Sequence, residues 1–419
     1  MRAIFILFLT LPVAAQQLTP HTLVLPSRTI TLSLPSEFAI EVAATGLHRP
    51  RFFAESPDHR IFVTEMHDLS DNSLGAIDIL TGWNPQTHTF ASRTRYLGNL
   101  RNPNNLAFYT DPVTHQSWLY TALTDRLLRY EYAPGDSSPA VAPEVLATFP
   151  AYGLNYKYGG WHLTRTVAFA SLHGHTRLYV TVGSSCNACA EKEPVRAALL
   201  VMDPDGTHQQ ILASGLRNAV DLRFVAAIDG GALFASNMGD DQLGDHAPED
   251  TFFELDSNRH PAPAGQNYGW PTCYFDGGIP HTDPTVTHPD SAHPVFPPPP
   301  AGPPPVALDC AKVPPAYTTF MAHSSPLGLS FFDSANRILA NSFLVALHGA
   351  GHPRIGTGYR VVRFSPASRH PQNFILGFLI QQSGKPIVQG RPCGILQIAP
   401  DSFLLTDDLN GAIYAVHTR

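Results

Sequence analysis

"WHLTRTVAFASLHGHTRLYVTVG", residues Trp161 to Gly183, carries the pattern that decides the fold. An imidazole and a few small or polar residues lead into an alternating apolar run, a glycine-containing turn and a second apolar run. Five further segments repeat the form. They read "GLHRPRFFAESPDHRIFVTE" from Gly46, "LRNPNNLAFYTDPVTHQSWLYTA" from Leu100 and "LRNAVDLRFVAAIDGGALFASN" from Leu216. The other two are "HSSPLGLSFFDSANRILANSFLVAL" from His323 and "GRPCGILQIAPDSFLLTDD" from Gly390. A third apolar run follows each copy: "GAIDIL" at Gly75, "RLLRYEY" at Arg126, "ALLVMD" at Ala198, "TFFELD" at Thr251, "YRVVRF" at Tyr359 and "GAIYAV" at Gly411.

Short runs rich in Val, Ile, Phe and Tyr, punctuated by Gly, Pro, Asp and Asn, are strands and turns. Three or four strands recurring roughly every 50 to 60 residues are the mark of propeller blades. The repeats therefore predict an all-β, six-bladed β-propeller with four-stranded blades. "FAIEVAAT" from Phe38 is expected to join the last blade and hide its open edge. "HPVFPPPPAGPPPV", His293 to Val306, reads as a polyproline-like surface excursion within an insertion at 280–320. One domain, 16–419, accounts for the rest.

The amino terminus, "MRAIFILFLTLPVAAQQ", has the layout of a cleaved signal peptide over residues 1–15, with Arg2, an apolar run to Leu11 and small residues Val13-Ala14-Ala15. It predicts an exported protein, periplasmic or secreted. No later run approaches the roughly 18 apolar residues of a membrane span. Charged residues make up only 15%, against 31 glycines and 39 prolines, which favours turns and strands. A net charge of −7 without a basic stripe excludes nucleic acid as a partner. No nucleophile elbow and no Rossmann glycine fingerprint occur, which removes two enzyme classes.

Five cysteines in an exported chain invite disulfides. Cys186 and Cys189 form a CxxC without the second pair a zinc site needs, and Ala190 rules out a covalent haem motif. Cys273 and Cys310 flank the proline-rich excursion and are placed to staple it, leaving Cys393 as the odd one. The connectivity stays open at this level.

In a propeller the first strand of each blade lines the central channel, so the residues just before it gather at one mouth. Those residues are His48, Arg101, His162, Arg217, His323 and Arg391. An acidic protein that collects arginine and histidine around one axis is expected to hold a small polyanion there, since guanidinium forks suit carboxylate or phosphate. His162 has the ionisation range of a general base. "NMGDDQLGDHAPED", Asn237 to Asp250, offers closely spaced oxygen donors of the kind calcium takes, without the spacing of an EF-hand.

In order along the chain, "WHLTRTVAF…LYVTVGSSCNAC", "SGLRNAVDLRF", "NMGDDQLGDHAPED", "NYGWPTCY", "AHSSPLGLSFF", "LVALHG…GYRVVRF" and "GRPCGI…LLTDDLNGAIYAV" closely resemble the soluble quinoprotein sugar dehydrogenases, above all their sorbosone and pyranose dehydrogenase branch. The resemblance covers nearly the whole mature chain. It implies a six-bladed propeller that binds pyrroloquinoline quinone (PQQ), a tricarboxylate, together with calcium, oxidises a sugar, and passes electrons to a separate acceptor. It implies that His162 is the catalytic base, that Arg217 acts in catalysis and with Asn218 contacts the quinone, and that Gly239 and Asp240 bind calcium. Arg391, His348 and Arg354 fall in blocks that bind cofactor carboxylates.

Three departures stand out. Gly183 is followed by Ser184, where the glucose dehydrogenase branch has an aspartate that orients the base. The calcium pair is Gly239-Asp240 in place of Gly-Pro, and "HGAGHPR" from His348 lacks an expected aromatic residue. Two other readings remain at this level: a propeller lactonase with an axial calcium, and a non-catalytic propeller that has lost its cofactor and binds sugar or protein.

Overall fold

The computed structural model describes residues 17–151, 162–241, 243–284, 286 and 308–419. The signal-peptide segment 1–15, Trp161 and most of the proline-rich excursion lie outside the described residues.

Six antiparallel sheets stand around one axis, as the repeats require. The first blade is Pro50–Glu55, Ile61–Glu65, Gly75–Asn84 and Thr89–Leu100; the second is Leu106–Thr110, Ser117–Ala122, Arg126–Tyr132 and Glu144–Thr148. The third is Arg165–Leu172, His175–Val182, Ala198–Met202 and Gln210–Ser214, extended by the short parallel strand Gln266–Asn267. Ala219–Val225, Ala232–Asn237, Asp250–Ser257 and Thr318–Phe320 make the fourth. Pro326–Phe332, Ser342–Leu347, Arg360–Phe364 and Gln372–Ile375 make the fifth. The sixth is Pro392–Ala399, Ser402–Asp407 and Ala412–Thr418, completed by Phe38–Ala44 from the other end of the chain. The ring closes as the sequence predicts.

The innermost strands of each blade were legible because they are sandwiched between neighbouring blades. Ala232–Asn237 and Ser342–Leu347 are buried at every position. The outer strands escape pattern reading because they face water. Glu144–Thr148 buries no residue, and Thr89–Leu100 buries only Tyr96 and Leu100. The hairpin Leu18–Val24/Thr29–Pro35, absent from the sequence-based expectation, places Leu23, Ile30, Leu32 and Leu34 in the core shared by the fifth and sixth blades.

Hydroxyl groups near the ends of second strands stitch adjacent blades. Thr64 Oγ1 donates to Asn104 O (2.7 Å), Thr181 Oγ1 to Ala219 O (2.7 Å), Ser236 Oγ to Leu327 O (2.6 Å) and Thr406 Oγ1 to Arg51 O (2.7 Å). Each acceptor lies at the start of the next blade's first strand, so the same bond recurs across four seams. Phe52, Val220, Leu327 and Cys393, one from each of four blades, pack together as an apolar plug. The first strands approach so closely here that a Cβ on Gly394 would stand 2.2 Å from Arg51 O. The channel is a packed core with one polar mouth.

Cys273 pairs with Cys310, the staple expected from their positions, and Cys186 pairs with Cys189. Cys393 is a buried free thiol. No helix among the described residues is long and apolar enough to cross a membrane.

Candidate functional site

His162 enters the third blade just before its first strand. Its Nδ1 lies 2.9 Å from Ser184 Oγ and 3.2 Å from Ser184 O. Ser184 Oγ–H is directed to Cys186 O (2.6 Å). The serine hydroxyl has therefore spent its proton and presents a lone pair to the ring. Both neighbours of Nδ1 are acceptors, so Nδ1 carries the hydrogen and Nε2 the lone pair. Burial, reinforced by the Arg217 charge, pushes the imidazole well below its ordinary range, with Asp241 opposing. The ring is a neutral base at pH 7. Its backbone is pinned from beneath by the fully buried Arg165, whose Nη1 donates to His162 O at 2.9 Å.

Arg217 is buried at the corresponding position of the fourth blade. Nε donates to Asn187 O (2.9 Å), Nη2 to Asn187 Oδ1 (2.6 Å) and Asp241 Oδ2 (3.2 Å), and Nη1 to Gly239 O (2.6 Å). Asn218 accepts from Thr164 Oγ1 at 3.0 Å and directs Nδ2 at the Met238 sulfur. Asp241 stands between Arg217 and His323, whose Nδ1 is 3.5 Å away. Burial opposes ionisation of Asp241, yet Arg217 and His323 together hold it down at about 2. Asp241, against the opposing effect of burial, lifts His323 to about 9.

From there hydrogen bonds run around the mouth. Gly239 N donates to Asp250 Oδ1 (2.8 Å), Ser325 N to Asp250 Oδ2 (2.7 Å), and His348 N to Ser325 O (3.0 Å). Burial raises Asp250 to about 7, although those two amide donors oppose it. His348 Nε2 meets Asp408 Oδ1 at 2.9 Å, and Asp408 also takes Arg49 (3.0 Å) and Arg51 (3.2 Å). Arg51 reaches Asn104, whose Nδ2 donates to Thr166 Oγ1 (2.9 Å) in the third blade. The polar circuit thus passes through all six blades and returns to the strand that follows His162.

Arg391 is partly buried in this circuit with neutral partners: Gly349 O (3.0 Å), Ala350 O (3.1 Å), the Tyr359 hydroxyl (3.0 Å) and His348 Nδ1 (3.3 Å). Among the described residues no carboxylate side chain neutralises its guanidinium. Arg101 differs: its fork sits on Asp71, with Asp125 beside it, so its charge is spent within the second blade's seam. His48 is exposed, with its ring beside His67. Arg354 is exposed on the loop between Gly349 and Gly358 and makes no ion pair with a described residue. The circuit thus includes His162, Arg217, Gly239, His323, His348 and Arg391 from the sequence reading, and leaves Arg101, His48 and Arg354 at its margin. Ser184 was singled out only as a departure from the resemblance, and Asn187, Asp241, Asp250 and Asp408 were missed, although all four stand inside quoted motifs.

A family model for TrAA12-like proteins matches residues 32–417. The chain belongs to the TrAA12-like family. These are the AA12 pyrroloquinoline-quinone-dependent oxidoreductases. A search of curated proteins by sequence found no match. Among solved structures, the Trichoderma reesei family AA12 enzyme, in an iodide structure, superposes with a TM-score of 0.67 at 15% identity, covering 92% of this chain and 97% of that one. The holo form of the pyranose dehydrogenase PQQ domain from Coprinopsis cinerea gives 0.66 at 17% identity, covering 93% and 97%. The PQQ-bound aldose sugar dehydrogenase from Streptomyces coelicolor gives 0.53 at 16% identity, covering 92% and 100%. These likenesses establish the shared propeller.

The residues of this TrAA12-like protein fit an anionic cofactor. Arg391 is partly buried without a carboxylate partner among the described residues, Arg217 shares only one half-exposed carboxylate, and His323 is charged at neutral pH. The Gly239 carbonyl and the Asp240 carboxylate are oxygen donors, the kind a hard cation takes. The Gly239 carbonyl already accepts from Arg217, so a cation bound there would share that oxygen with a guanidinium. The quinone therefore has firmer support from these residues than the calcium.

Proposed function

We propose that this TrAA12-like protein is an exported quinoprotein dehydrogenase that oxidises a sugar or sugar aldehyde, of the sorbosone or aldose type, and passes the electrons to a separate acceptor. One observation carries the reading: a neutral His162, with its tautomer fixed by Ser184, stands in the same circuit as the buried Arg217 and the partly buried Arg391. In this reading His162 Nε2 takes the proton of the substrate hydroxyl or aldehyde hydrate as general base. PQQ, when bound, supplies the electrophilic quinone carbon that accepts hydride. Arg217 stabilises negative charge that develops on an oxygen beside it, from a position set before the reaction begins. Arg391 and His348, with Asn218, bind and orient the cofactor, with Arg354 at the rim; Gly239 and Asp240 would hold calcium.

Family membership favours the oxidoreductase over the lactonase and the cofactor-free binder. Two disulfides suit an oxidising compartment, periplasmic or extracellular. The test is to titrate the apoprotein with PQQ and calcium, follow the quinone absorbance, and measure dye reduction with aldoses and sorbosone. His162→Ala is expected to keep PQQ binding and to lose about 10²- to 10⁴-fold in kcat. A wild-type protein that binds no PQQ overturns the reading.

A further inference from the structure

Asn187 belongs to none of the roles that the sequence suggested, yet it holds both Arg217 and Asp241. It lies in the loop closed by the Cys186–Cys189 disulfide and is 7% exposed. Its oxygens accept four hydrogen bonds. The backbone carbonyl takes Arg217 Nε and Trp270 Nε1, both at 2.9 Å; Oδ1 takes Arg217 Nη2 at 2.6 Å and Asp241 N at 2.9 Å.

The whole Nε/Nη2 edge of Arg217 is therefore forked onto one residue. A guanidinium gripped along one edge has its other nitrogen aimed by that grip, because the group is planar and rigid. Here the other nitrogen is Nη1, which meets Gly239 O. Oδ1 also fixes the amide of Asp241, the carboxylate that pairs with Arg217 and His323. The same loop reaches the base, since Cys186 O receives the Ser184 hydroxyl that in turn receives His162 Nδ1. Cys186 packs with Trp270 and Ala197, which ties the loop to the body of the protein.

We propose that the Cys186–Cys189 loop is the positioning element of the site and that Asn187 is the residue that aims Arg217. This rests on the assignment of His162 and Arg217 to the oxidation. Asn187 touches Arg217 rather than the reacting atoms, so it is a positioning residue. Its amide nitrogen has no partner among the described residues. Asn187→Leu, close in volume but without an acceptor, removes both side-chain bonds and is the disruptive variant.

The experiment measures kcat, sugar KM, the pH dependence of kcat/KM, PQQ affinity by absorbance titration, and thermal midpoint. Asn187→Leu is expected to lose about 100-fold in kcat, the penalty typical of a catalytic group displaced by an ångström, with KM held within a few-fold. His162 is faced by Arg217, Asp241 and Arg165, and Arg217 is the strongest of the charges that depress it. A misaimed Arg217 should therefore move the acid limb of kcat/KM to higher pH, which general loosening would not do. Cys186→Ala/Cys189→Ala should follow Asn187→Leu in direction. An Asn187→Leu protein with wild-type kcat, or with an unmoved acid limb, overturns the proposal. A wild-type protein that neither binds PQQ nor oxidises a sugar removes the underlying reading, and this inference with it.

Discussion

The Ser184 hydroxyl gives its hydrogen to Cys186 O and receives that of His162 Nδ1, 2.9 Å away. A serine thus orients the imidazole proposed as the general base. A hydroxyl fixes the tautomer without adding charge, so it leaves the imidazole weakly basic.

Ser184→Ala should lower kcat/KM about five- to tenfold, the worth of one net hydrogen bond, because Ser184 O still holds Nδ1 at 3.2 Å. Steady-state kinetics with PQQ saturating checks it. A loss as large as that of His162→Ala would mean that the hydroxyl itself takes part in proton transfer.

The pH profile has a defined sign. The base works when neutral, and burial with Arg217 depresses its pKa well below 6.5. Activity should rise with pH only through that depressed value and be level by pH 6.5. An acid limb centred at or above 6.5 in kcat/KM would contradict the role of His162 as a buried neutral base.

Asp241 and His323 link stability to pH in opposite directions. His323 is raised to about 9, so its contribution is complete below about 6.5 and disappears as pH rises through 9. Asp241 is lowered to about 2, so its contribution is complete above about 3.8 and disappears as pH falls through 2. Asp241→Asn should therefore lower the thermal midpoint most between pH 4 and 6.5, and progressively less toward pH 9. With 59% of the Asp241 side chain exposed, solvent screening keeps the effect small. Thermal scans across pH for both proteins measure it.

The seam hydroxyls predict a purely structural loss. Thr181→Val keeps the shape but strips the buried Ala219 carbonyl of a donor, at a cost of about 1–3 kcal/mol. Equilibrium urea unfolding reads the change, and PQQ affinity of the folded variant should hold.

The fold was legible because blade interiors impose a period on the sequence. Runs such as "FLVAL", Phe343 to Leu347, are apolar along their length because the sheet is covered on both faces, and six copies make the count. Outer strands such as Glu144–Thr148 carry no comparable constraint, since water tolerates almost any side chain there. At the mouth, positions set by the repeat register, including His162, Arg217 and Arg391, were readable because register fixes where they point. Asn187 and Asp408 were not, for their roles depend on loop paths and on partners 30 to 60 positions away. Arg101 shows the limit of register alone: it stands in line with the others, yet Asp71 and Asp125 consume its charge.

Closure of the ring by Phe38–Ala44 has a consequence for the order in which the protein is built. Glu41 and His417 meet across 376 positions, so the last blade must wait for the final strand to leave the ribosome. The polar circuit crosses that same junction, from Asp408 to Arg49 and Arg51. A nascent chain can assemble its middle blades early, but it has no complete mouth until its two ends are side by side. A ligand that needs the whole circuit would find it only after that junction has formed.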